Sequence, residues 1–478
     1  MSLLSKPFKW LYHEFGLSSV TATGRDAQLI ILTRCCRMFA YGTNSLMLAL
    51  FFSALGFADY QIGLFMTLTL LGDVLLSLFL TLIADRVGRR RVLLAGSALM
   101  VMSGATFALS DNFWILLLAA VIGVISATGG DFGPFRAIEE STLSHLTGPK
   151  TRSDVLSWYV MMSSMGSSLG TEVSGRVITW LQARDGWSLP DAYHAIFWVY
   201  TGMGLVNAIL VWCLSDACEL QTPSGSDEAA GILLVSDSES DDEGSSTPAP
   251  APAKKKSGFF SLFAAISPRT RTTMYKLWFL LIVDSLADGM VPYSLTNYYM
   301  DRKFHLPAST LGDVTSASYV LSSVGTAFAA PLARRLGLIN TMVFTHIPSS
   351  LAVLVFPAPP GVVLTVILLF IRTGLNNMDQ APRSAFIAAV VLPEERTAVM
   401  GITSMLRTLA STAGPTVTGV LAGNDRFWIA FVAAGALRLA YDLGLWAMFV
   451  NMRVDGDRKE EGNDVQMTEV RKKNGSTV

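Results

Sequence analysis

Three sets of ionisable side chains sit at helical spacing inside long apolar runs of this chain. Arg34, Arg37, Tyr41 and Asn44 stand at i, i+3, i+7 and i+10, which puts them on one face of a helix. Arg372, Asn376, Asp379 and Arg383 follow at i, i+4, i+7 and i+11, again one face. Asp284 and Asp288 lie one turn apart with Asn297 beyond them, and Asp131 adds a carboxylate to a fourth run. Such faces can hold a polar or anionic solute, and a buried carboxylate that an arginine approaches or leaves can exchange a proton. A charge at the centre of a membrane helix costs about 2.5–3.5 kcal/mol, so each of these groups needs a partner or a task. Mutual structural neutralisation is the competing reading.

The elements that must position them are the runs themselves. With 51% hydrophobic and 15% charged residues, the chain is too apolar for an ordinary soluble protein. A spanning helix needs ~20 mostly apolar residues. Twelve runs qualify: 26–54, 59–83, 92–109, 112–144, 153–182, 193–214, 273–300, 309–332, 339–357, 361–391, 397–422 and 426–450. They lack the two-residue alternation of barrel strands, so they read as helices. Alternate connections carry Arg86 to Arg91, Lys150 and Arg152, Lys254 to Lys256, Arg334, Arg335 and Arg396, which orients both termini to the cytoplasm. Arg184, Arg302, Lys303 and Arg426 run against that pattern.

An acidic, proline-rich and then basic linker at 215–272 separates a six-run segment, 26–214, from a second, 273–450; residues 1–25 and 451–478 flank them. The linker is too polar to bury a core. Ser236, Ser238 and Ser240, each with an acid three residues on, suit an acidophilic kinase, against the plainer reading of a solvated spacer. The halves repeat: Arg86-Val87-Gly88 falls on Arg335-Leu336-Gly337, and Asp131 to Arg136 matches Asp379 to Arg383. The expected fold is therefore an all-α polytopic membrane protein with twelve transmembrane helices in two pseudo-symmetric six-helix bundles.

Residues 81–90, Thr-Leu-Ile-Ala-Asp-Arg-Val-Gly-Arg-Arg, resemble the Gly-x-Leu-Ala-Asp-Arg-x-Gly-Arg-Arg loop of major facilitator superfamily transporters, with Thr81 in place of the opening glycine. The second copy, at 330–337, lacks the aspartate. Gly88 permits the tight turn. The resemblance implies a cytoplasmic gate motif of Asp85, Arg86, Gly88 and Arg89. Asp85 would face the start of the eleventh span, and Arg86 or Arg89 would pair with Glu139 or Glu140 when the carrier is open outward. It also implies that spans one, four, seven and ten line the cavity, where the polar faces fall.

Other charges read as local pairs: Glu172 with Arg176, and Arg438 with Asp442 as a structural salt bridge. Asp73 and Arg407 stand alone, each open to two readings, a proton site or a partner across the two halves. The cross-half pairing of Arg34 or Arg37 with Asp284 or Asp288 would couple a proton gradient to solute movement. Five scattered histidines, four cysteines without a framework and no phosphate loop leave no expected metal, cofactor or enzyme activity. The expected partners are the lipid bilayer, a small polar or amphipathic solute and protons, with no nucleic acid, for a monomer acting by alternating access. Proton-coupled export is the main expectation. The alternatives are uptake of an organic anion held by Arg34, Arg37 or Arg372, and a non-transporting nutrient sensor. The acidic loop suggests a eukaryotic source.

Overall fold

The described residues fold almost wholly into helices, and where each begins and ends follows from its turns. The computed structural model describes residues 17–123, 125–126, 134–148, 151–219, 267–391 and 395–450. Asp131 and the three linker serines lie outside the described residues, as do the side chains of Asp85 and Arg86. In chain order the helices are α1 (Leu17–Thr23), α2 (Arg25–Ala54), α3 (Asp59–Val87), α4 (Arg89–Leu109), α5 (Phe113–Gly123), α6 (Pro134–Leu146), α7 (Arg152–Gln182) and α8 (Leu189–Trp212). After the linker come α9 (Pro268–Met290), α10 (Tyr293–Phe304), α11 (Ala308–Leu336), α12 (Leu338–Val355), α13 (Val362–Asn376), α14 (Gln380–Val390), α15 (Arg396–Gly423) and α16 (Phe427–Phe449).

The basic turn is a single residue, Gly88 at φ 105°, joining α3 to α4; Gly337 at φ 84° joins α11 to α12 at the equivalent place in the repeat. Both sit where a side chain would be strained.

Three runs expected to be continuous are broken among the described residues. The run 112–144 divides into α5 and α6, with residues 125–126 non-helical. Pro292 has no amide hydrogen to offer, so α9 stops at Met290 and α10 restarts at Tyr293. The run 361–391 passes through a short 3₁₀ turn, Asn377–Asp379, between α13 and α14.

Six helical stretches among the described residues are long and apolar enough to cross a membrane by length and composition, in α3, α4, α8, α12, α13–α14 and α16. Helices α2, α7, α9, α11 and α15 are also long, but their hydropathy is lowered by polar residues turned inward. Arg37, Asn44, Ser167, Asp284, Thr315 and Thr418 are all at most 1% exposed. Large apolar side chains such as Trp114, Met102, Phe279 and Val363 instead face outward. That inversion suits a lipid surround.

Packing repeats as the sequence does. Helix α2 lies on α7 and α8, as α9 lies on α15 and α16; α4 lies on α8, as α12 lies on α16; α3 meets α5, as α11 meets α13. Two extensive seams then join the halves, α7 on α11 and α3 on α15, and these correspond to each other under the repeat. Glycines let the backbones touch there. A Cβ on Gly419 would fall 2.6 Å from the Asp59 carbonyl oxygen, and one on Gly312 would fall 2.8 Å from that of Thr171. Gly166 and Gly170 serve the α2–α7 contact in the same way.

Polar links between the halves gather toward one end of these seams. Arg302 donates to Asp59 across the halves at 2.6 Å and to Asp425 of its own half at 3.1 Å, and Tyr298 donates to Asp59 at 2.6 Å. Arg176 reaches Asp313 at 3.1 Å as well as its expected neighbour Glu172. Midway, Ser168 meets Ser316, Asn297 donates to the Ser45 carbonyl, and Thr67 meets Thr416. The opposite end carries the Gly88 turn.

Candidate functional site

Between the halves lies a cavity of about 370 Å³. Met38, Leu70, Arg136, Ser163 and Ser167 line it from the first half; Asp288, Tyr293, Tyr319, Arg372, Asn376 and Ser411 line it from the second. The break at Pro292 shapes its wall. Ending α9 frees the Val291 carbonyl, and the Arg372 guanidinium satisfies it while also donating to Thr296 at 3.2 Å. Arg372 is thereby fixed at the cavity with donors directed by its planar fork.

Asp288 connects this space to a buried network. It accepts from Arg438 of α16 at 2.8 Å. Arg438 is fully buried, and its other terminal nitrogen donates to Asn376 and to His346 Nε2, the latter at 2.8 Å. A guanidinium only donates, so Nε2 must be the acceptor. The His346 proton therefore sits on Nδ1, which faces Asp442 at 2.7 Å, and Ser350 donates to the same carboxylate at 2.8 Å. The imidazole is neutral here, held between an acid and a cation. Asp284 flanks it, 3.9 Å from Nε2, with Arg383 at 3.8 Å and Arg407 at 4.0 Å. Arg383 also pairs with Asp379 at 2.8 Å.

The first half holds a closed counterpart. Arg37 of α2 forms a two-point ion pair with Glu139 of α6, at 2.7 and 2.5 Å, and Tyr159 donates to the same carboxylate at 2.7 Å. Arg37 also lies 4.4 Å over the Phe135 ring, and Arg34 lies 4.8 Å over that of Tyr159.

Several expectations need correcting. Asp288, Arg372 and Asn376 line the cavity, but the polar face of α2 does not: Arg34, Arg37, Tyr41 and Asn44 are buried within the first half, and Met38 is the α2 residue at the cavity wall. Arg37 pairs with Glu139 rather than with Asp284 or Asp288, because α6 of its own half places a carboxylate in bidentate reach. Arg438 and Asp442 do not pair with each other; each turns to a different neighbour, with His346 between them. Arg407 is not solitary, since it donates to Ser285 at 3.1 Å.

At the gate motif, Arg89 donates to Ser141 at 2.9 Å, while Glu140 pairs with Arg136. The amides of Arg89 and Arg90 cap on the Glu219 carboxylate, at 2.7 and 3.1 Å. His346 is the principal site residue that spacing missed. It sits alone in its run, and its partners come from α16 and α9.

The broken helices, inward polar faces and repeated packing agree with the sequence comparisons. A model of the Major Facilitator Superfamily matches residues 30–267 and 277–473. The chain belongs to that superfamily. It is a multi-pass, all-α membrane transporter and not an enzyme. It is 30% identical over 446 residues to the uncharacterized membrane protein YJR124C of Saccharomyces cerevisiae, covering 92% of this chain and 97% of that one. Among solved structures, the nucleoside transporter NupG superposes with a TM-score of 0.63 at 14% identity, over 89% of this chain and 99% of that one. A D-xylose–proton symporter superposes with a TM-score of 0.63 at 12% identity, over 88% and 98% of the two chains. At such identities the likeness concerns the fold. As a member of this superfamily, the chain is a secondary carrier working by alternating access.

Proposed function

We propose that this chain is a twelve-span carrier of two six-helix bundles, residues 26–214 and 273–450, that moves a small anionic solute together with a proton in the direction of uptake. The observation that carries this reading is the Arg438 guanidinium, bonded at once to Asp288 at the cavity and to Nε2 of a neutral His346. A proton arriving on Nε2 removes that acceptor and sets two cations against each other. Arg438 must then move, and Asp288 loses its partner. The protonated imidazole has a carboxylate ready in Asp284. Proton arrival and solute-site geometry are coupled through one side chain.

Arg372 supplies the anion contact, with Asn376 and the serines of α7 orienting the polar remainder of the solute. Symport rather than the export expected from sequence is favoured by a proton site joined to the solute cavity, and by the fold shared with a D-xylose–proton symporter. The basic connections assign the cytoplasm to the end carrying the Gly88 turn, so the polar links around Arg302 close the outer end.

The test uses the full chain in liposomes with an entrapped pH-sensitive dye and a panel of small carboxylates, nucleosides and sugars. At least one carboxylate should drive proton movement that His346→Gln abolishes. Thermal-shift binding of a panel member without any flux would establish a sensor instead. Flux indifferent to an imposed pH gradient would overturn the coupling.

A further inference from the structure

Each of the carboxylates buried around these networks has a cation or an imidazole nearby, with one exception in the first half. Glu139 has Arg37, Asp288 has Arg438, Asp379 has Arg383, Asp442 has His346, and Asp284 has Arg383 within 3.8 Å. Asp73 of α3 has no ion pair among the described residues. Its residue is 4% exposed, and its Oδ1 is buried without a hydrogen-bond partner. An ionised carboxylate in that setting loses its hydration and gains nothing in return, so the group is held neutral.

We propose that Asp73 is a second proton-carrying site, loaded in the conformation described here and screened from the cavity by Leu70 and Met38. Leu70 lies one turn from Asp73 on α3, and Met38 lies one turn from Tyr41 on α2; both line the cavity wall. A small displacement of α3 against α2 would uncover the acid to cavity water. Hydration then stabilises the carboxylate and releases the proton.

The surroundings fit a neutral acid. Tyr41 on α2 and Tyr200 on α8 lie within electrostatic reach of Asp73, and neither brings a positive charge. The Tyr200 hydroxyl and both amide atoms of Asn44 are buried without partners, so polar groups that could receive or pass a proton stand along the same interior. The cations on neighbouring helices are turned elsewhere: Arg34 lies over the Tyr159 ring, Arg37 pairs with Glu139, Arg89 of α4 reaches Ser141, Arg136 pairs with Glu140 on α6, and Arg407 of α15 reaches Ser285 and Asp284. Helix α5 carries no charged residue.

Loading of Asp73 is independent of the transport reading; only its use in coupling rests on it. The experiment is therefore spectroscopic first. Infrared spectra of the purified full chain at pH 7 should contain a C=O stretch from a protonated carboxyl group in an apolar setting. Asp73→Asn should remove it, with no more than a few degrees' loss in melting temperature, because the amide has the shape of the neutral acid. A wild-type minus Asp73→Asn difference spectrum without that band would overturn the proposal. So would a rise in wild-type melting temperature on replacing choline chloride with sodium chloride that Asp73→Asn abolishes, since the occupant would then be sodium. In liposomes, Asp73→Asn should retain solute counterflow while losing at least tenfold of pH-driven accumulation. Accumulation at the wild-type level would remove Asp73 from coupling while leaving the His346 reading intact.

Discussion

Arg37 and Arg438 are both fully buried arginines, one in each half, yet their surroundings differ in kind. Arg37 meets a carboxylate in two-point geometry, braced by Tyr159 and by the Phe135 ring. That pairing stands back from the cavity wall. Arg438 is divided among Asp288, Asn376 and His346, one of which titrates near neutrality in water and one of which borders the cavity. The difference teaches that burial alone does not mark a working group. A buried cation with one saturated partner holds a bundle together, whereas one shared among unlike partners can be switched.

The sharpest way to break the comparison is Glu139→Gln, which strands Arg37 without a counter-charge. Removing one member of a buried pair costs about 3–5 kcal/mol, so a severe loss of folded protein in detergent, read by fluorescence-detected size exclusion, is expected. A fold that tolerated this change would erase the distinction. His346→Gln should be milder for stability, about 1–3 kcal/mol from buried groups left unmatched, yet abolish the response of transport to pH. Retention of that response would place the switch elsewhere. Gly419→Val tests whether the seam matters to both networks alike; overpacking costs about 1–3 kcal/mol, and flux should fall with binding preserved. The smallest stability effect belongs to Arg302→Gln, under about 1 kcal/mol because this ion-pair cluster is partly exposed. Its signature should be faster labelling of cysteines placed at the outer end.

How much was legible in the sequence follows from the same contrast. Helix existence was readable because apolar runs of span length have few alternatives. The face expected over Arg372 to Arg383 is instead interrupted by the 3₁₀ turn at Asn377–Asp379, with Arg372 and Asn376 at the cavity and Asp379 and Arg383 outside its lining. Which side faces the cavity was not readable. Arg34 and Arg37 turn toward α6 and α7, a choice made by tertiary packing. The i, i+4 spacing of Arg438 and Asp442 suggested a local pair, but His346 arrives from α12 and separates them. A lone histidine carries no periodic signal, so its importance exists only once three helices meet. The Pro292 break lay inside a run read as continuous, and its consequence, a freed carbonyl that holds Arg372, required the partner helix.

The paired glycine seams have a mechanical consequence. Contacts made by bare backbone contain no rotamers to reset, so two helices can roll on them as on a bearing. From Gly63 to Val87, α3 extends for twenty-four further residues, a lever of roughly 36 Å at 1.5 Å per residue. A tilt of about 10° at such a bearing moves the far tip by about 6 Å over that length, enough to admit or expel a small molecule.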